Sequence, residues 1–82
     1  MATITRAEAS KMLADAFEAP LDSIKPEVAR DDIAGWDSMG ALSLMAELDE
    51  RFNITLSAEE SKKMRSIADV FTLLSRNGVL AD

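Results

Sequence analysis

The sequence predicts an all-α fold, a small four-helix bundle with a long loop between the first and second helices and a short third helix. Three observations predict it. Apolar residues recur at three- and four-residue spacing in three separate stretches, the signature of one buried helix face. Two helix starts, those of the first and the short third helix, carry a hydroxyl residue followed three positions later by Glu, the capping-box pattern. Both prolines fall in a single stretch, between Pro20 and Asp37.

The first helix starts behind Thr5-Arg6-Ala7-Glu8, where the Thr5 hydroxyl covers an amide and the Glu8 carboxylate reaches back. Met12, Leu13, Ala16 and Phe17 follow at helical spacing, and Pro20 stops the helix near Ala19. Residues 20–37 read as irregular, with Leu21, Ile24, Val28 and Ile33 as apolar anchors to the core. A connection of this length in a small domain is usually functional, or spans distant helix ends. Ser38 to Phe52 carries the strongest helix pattern, with Ala41, Leu44, Met45, Leu48 and Phe52 on one face. Leu48 and Phe52 are expected to pack together against Phe17 and Phe71. Ser57-Ala58-Glu59-Glu60 opens a short helix that Met64 helps to bury. Ser66-Ile67-Ala68-Asp69 opens the last helix, with Ile67, Val70, Phe71 and Leu74 inward. Asn77-Gly78 closes it, because glycine accepts the left-handed conformation there.

Eighty-two residues make a single domain, 1–82, in which only about 60–65% of the unfolded chain's surface can be buried. The chain has no His, Cys or Tyr. Ser–His and Cys–His nucleophile pairs are therefore impossible, as is a Cys/His metal site. Asp31-Asp32-Ile33-Ala34-Gly35-Trp36-Asp37 does not fit a calcium loop, since side-chain oxygens are missing at the third and fifth positions from either Asp. Trp36 is expected to plug the loop against the core. Fifteen acidic residues against nine basic ones give a net charge of −6. That charge disfavours nucleic acid and anionic membranes and suits basic protein partners. No apolar run is long enough to span a membrane and no signal peptide opens the chain, so the expected compartment is cytoplasmic.

The chemistry-bearing segment is Gly35-Trp36-Asp37-Ser38-Met39, which sets a hydroxyl where a loop becomes a helix. Unpaired amides and the positive end of the helix dipole favour a phosphate ester at such a place. An isolated Asp-Ser would more simply be an N-cap. Asp37-Ser38-Met39, however, resembles the Asp-Ser-Leu attachment motif of acyl carrier proteins and peptidyl carrier domains. Leu42 to Ile54 is similar to their second helix and the turn after it, Ser57 to Met64 to the third, and Ser66 to Leu74 to the fourth. The likeness is weakest before Asp31.

The resemblance implies a carrier that holds acyl, aminoacyl or polyketide intermediates as thioesters on a covalent 4′-phosphopantetheine arm. The arm would come from coenzyme A and sit on Ser38, with Asp37 assisting transferase and metal recognition. Because the arm brings its own thiol, the missing cysteine is no obstacle, and the chain is expected to be a non-catalytic monomer. Its expected partners are a phosphopantetheinyl transferase and enzymes that load or use the cargo: an acyl- or aminoacyl-loading ligase, a ketosynthase, a transferase or a condensation enzyme. Met39, Leu42 and Ala46, bordered by Glu47 and Glu50, form the expected partner face. Fatty-acid-synthesis members usually carry acids two and five residues after the serine, where this chain has Gly40 and Ser43; only Glu50 matches. That departure points to a dedicated pathway of polyketide, nonribosomal peptide or aminoacyl chemistry. An unmodified acidic helical adaptor is the alternative reading.

Overall fold

The computed structural model describes residues 3–81. Among the described residues four α-helices form in chain order: α1 (Arg6–Phe17), α2 (Ser38–Phe52), α3 (Ala58–Lys63) and α4 (Ile67–Arg76). The two expected capping boxes are present. Glu8 N donates to Thr5 Oγ1 at 3.2 Å while Thr5 N donates to Glu8 Oε1 at 3.0 Å. Ser57 and Glu60 exchange the same pair of bonds at 3.1 and 3.2 Å. The α4 start is held by Asp69, whose carboxylate accepts from the amides of Arg65 and Ser66 at 2.7 and 3.2 Å. Gly78 takes the left-handed φ of 71° just beyond α4.

α1 ends two residues earlier than Pro20 alone dictates. Glu18 adopts a left-handed φ of 50°, and Ala19 N closes back onto Ala14 O at 2.9 Å, a Schellman-type end. The chain is thereby turned out of the helix before the proline is reached. α2 runs from Ser38 to Phe52 as its apolar spacing predicts, and Asn53, at φ 58°, ends it.

The long connection contains two short 3-10 turns, Leu21–Ser23 and Arg30–Asp32. It is pinned by backbone as well as by side chains. Arg30 N donates to Arg65 O at 2.7 Å, Ile67 N to Val28 O at 3.1 Å, and Ala68 N to Pro26 O at 3.0 Å. Ile24 and Ile33 are buried and Val28 is half-buried. Leu21, an expected anchor, is instead 47% exposed. Its turn runs along the surface, and the chain enters the core only at Ile24.

The core gathers Met12, Leu13, Phe17, Leu44, Leu48, Ile67, Val70, Phe71 and Leu74, all buried. Phe52 departs from expectation: it is only half-buried and packs at the core's margin, because α2 ends there and its last turn faces solvent. Phe17 finds a different aromatic partner. Its ring stacks on Trp36, with centroids 4.7 Å apart and planes 15° apart. No helix among the described residues is long and apolar enough to cross a membrane.

Truncation should separate the two phenylalanines. Phe17→Ala removes a fully buried, stacked ring and should cost about 3–5 kcal/mol. Phe52→Ala, half solvated already, should cost roughly half as much. Chemical denaturation measures both, and equal losses would show that α2 is packed in a different phase.

Candidate functional site

Ser38 is the first residue of α2 and its side chain is exposed. Its position follows from contacts on both sides. Upstream, Trp36 is buried at 4% exposure beneath the Phe17 stack, acting as the expected plug. Downstream, Asp37 caps the helix: Gly40 N donates to Asp37 Oδ1 at 3.0 Å, and Ala41 N to Asp37 O at 2.9 Å. The amides of Ser38 and Met39 have no acceptor among the described residues, as expected for the first turn of a helix. Free donors, the positive helix end and an open hydroxyl together accommodate a phosphate ester on Ser38 Oγ. Asp37 Oδ2 is likewise without a hydrogen-bond partner among the described residues.

Two glycines allow the loop and α2 to meet this closely. A Cβ on Gly35 would collide with the carbonyl of Phe17, whose carbon would lie 2.6 Å away. A Cβ on Gly40 would collide with the carbonyl of Gly35 and stand 3.0 Å from the Phe17 ring. Both obstacles are dominated by backbone, which cannot swing aside as a side chain can. Gly40 therefore faces inward, where no acid can be placed. Sequence spacing identifies it only as a missing charge. Ser43, the other departure, is exposed and lines a shallow groove with Asp15, Glu18, Asp37 and Met39.

The expected partner face is exposed at its apolar positions. Met39 is 71% and Leu42 58% exposed, and Ala46 is exposed beside them. Glu50 is exposed on the same side. Glu47 is half-buried and engaged by Arg51, with Nε 2.6 Å from Oε2, so much of its charge is answered within the helix. Arg30 is a residue that sequence reasoning does not single out. Its guanidinium lies 5.5 Å from the centre of the Trp36 ring, and its Nη1 donates to Ser61 O at 3.0 Å. It thus ties the loop before Ser38 to α3. Nothing in the spacing of a lone arginine signals that contact.

Comparison with known proteins agrees with this geometry. The model of the family described as "Phosphopantetheine attachment site" matches residues 9–74. The chain is 29% identical over 72 residues to an acyl carrier protein of Syntrophus aciditrophicus, covering 88% of this chain and 90% of that protein. An acyl carrier protein of Syntrophobacter fumaroxidans is 27% identical over 66 residues, covering 80% and 82% respectively. One from Bdellovibrio bacteriovorus is 28% identical over 57 residues, covering 70% and 73%. The chain belongs to the phosphopantetheine-attachment family and is a carrier of a 4′-phosphopantetheine group.

The glycine geometry gives a paired test. Gly40→Asp should destabilise the domain by about 1–3 kcal/mol, because the loop must move aside. Ser43→Asp, on the open side of the same helix, should stay within about 0.5 kcal/mol. Equal melting behaviour of the two variants would show that Gly40 is not enclosed.

Proposed function

We propose that Ser38 is the attachment residue and that α2 presents the loaded arm to partner enzymes. The observation that carries this reading is an exposed hydroxyl on the first residue of α2, beside a capping aspartate and within the matched span. Ser38 Oγ, giving up its proton, attacks the arm-bearing phosphorus of coenzyme A under a phosphopantetheinyl transferase; the pyrophosphate P–O bond breaks and adenosine 3′,5′-bisphosphate leaves. Asp37 Oδ1 keeps the helix end in place, which leaves Oδ2 for a metal ion in the transferase complex. When bound, the arm supplies a terminal thiol that carries the cargo as a thioester. The chain itself performs no bond-making on the cargo. It positions the arm and exposes the surface that partners read.

That surface is the strip Met39, Leu42 and Ala46 with Glu50 beyond it and Glu47 on its flank. Exposed methionine adapts to successive partners of different shape. Glu50 offers an uncommitted charge to a basic partner, whereas Glu47 must first leave Arg51. The partners of this reading are a transferase for the arm and a ligase, ketosynthase, acyltransferase or condensation enzyme for the cargo. The glycine and serine in place of two acids favour partners dedicated to this carrier.

Intact mass after incubation with coenzyme A and a broad-specificity transferase tests the attachment. Wild type should gain one arm and Ser38→Ala none, with helix content unchanged because Asp37 still caps α2. An arm on another serine, or none under several transferases, would overturn the assignment. For the partner face, Met39→Ala and Glu50→Lys should melt within about 0.5 kcal/mol of wild type. They should load more slowly, and added salt should narrow the Glu50→Lys difference. Wild-type loading rates in both variants would move the face elsewhere.

A further inference from the structure

A cluster of charge lies between the loop that precedes Ser38 and the end of α3, of the sign opposite to the molecule as a whole. Ala29, Arg30, Asp31, Lys62 and Arg65 line an open notch between the 3-10 turn at Arg30–Asp32 and the end of α3. Three cations and one carboxylate face it, on a chain whose net charge is −6. Lys62 lies in the last turn of α3, where a cation also suits the helix dipole. That explanation does not extend to Arg30 and Arg65, which lie outside the helix. Neither Lys62 nor Arg65 has a side-chain hydrogen bond or ion pair among the described residues. With Asp31 as its one acid, the notch keeps an excess of two positive charges, and like charges held together are unfavourable for folding alone.

The notch is also built around a fixed donor. Arg30 is half-buried, held by its bond to Ser61 O and by the Trp36 ring beneath its guanidinium. A guanidinium restrained in this way loses little freedom when it binds a carboxylate. Trp36 stands two residues before Ser38, a span of at most about 7 Å along the chain. The notch is therefore linked, through a single aromatic ring, to the segment that ends at Ser38.

We propose that this notch takes the free carboxylate of an acyl group carried on the Ser38 arm, so that the carrier favours dicarboxylic over simple acyl cargo. This rests on the arm being attached at Ser38. The arm is flexible and long, and its thioester end can fold back over the protein that bears it. A terminal carboxylate gains from three cations there, while an uncharged acyl end gains nothing.

The test loads ¹⁵N-labelled protein with succinyl- or butyryl-phosphopantetheine, chains of equal length, from the corresponding coenzyme A thioesters. Intact mass of wild type beside Ser38→Ala first establishes that each arm is on Ser38; failure at that step overturns the attachment, not the notch. With both arms in place, the succinyl form should shift the resonances of Arg30, Lys62 and Arg65, and the butyryl form should not. The succinyl-specific shifts should vanish in the double variant Lys62→Gln/Arg65→Gln, which changes only exposed side chains, and in high salt. Identical shifts from both arms, or succinyl shifts that survive in the double variant, would overturn the proposal. So would a notch that responds to an added glutamate-rich peptide but not to the succinyl arm, since its occupant would then be a partner protein.

Discussion

The approach of the Gly35 backbone to the end of α1 is the constraint on which the site depends. Phe17 contributes both halves of it: its carbonyl meets Gly35, and its ring stacks on Trp36. Those two contacts fix the three residues before Ser38 against a buried helix end. Gly40 then meets the Gly35 carbonyl from the other side, so the loop is held between α1 and α2. Ser38 stands exposed between two buried residues, Trp36 and Gly40, that hold the segment on either side. A flexible arm attached to a mobile loop would gain little from a folded carrier. Under the proposed attachment, the root of the arm would sit at the end of a segment packed against α1 and α2.

This arrangement also explains how so small a domain holds a long connection. Its backbone pairs with the entry to α4 at Arg65 and Ile67, and its side chains reach the core at Ile24 and Ile33. Arg30 adds a bond to α3 at Ser61. The connection is therefore tied to α1, α3 and α4, and the bundle closes around it.

Much of this is legible in the residues themselves because the signals are local. A hydroxyl three residues before a glutamate marks the α1 and α3 starts, and Asn77-Gly78 marks the α4 end. The i, i+3, i+4 spacing from Ala41 to Phe52 gives α2 its full extent, and an Asp-Ser at that helix start gives the candidate attachment point. What spacing does not reveal is set by contacts distant in sequence. Periodicity places Phe52 on the inner face but cannot show that the helix has run past the core's edge. An apolar Leu21 in a loop looks like an anchor until the turn is seen to lie on the surface. Arg30 reads as one more surface cation, since Ser61, to which it donates, is thirty-one positions away.

Gly40 has a consequence for how carriers are kept apart. In a cell with several related carriers, an enzyme that identifies its own by an acid two residues after the serine of an Asp-Ser pair would find only backbone here. Packing alone keeps an acid from this position, and a substitution that placed one there would disturb the loop that precedes Ser38. Identity and architecture are written into the same atom position, so rewiring this carrier toward another set of enzymes would have to begin by redesigning the end of α1.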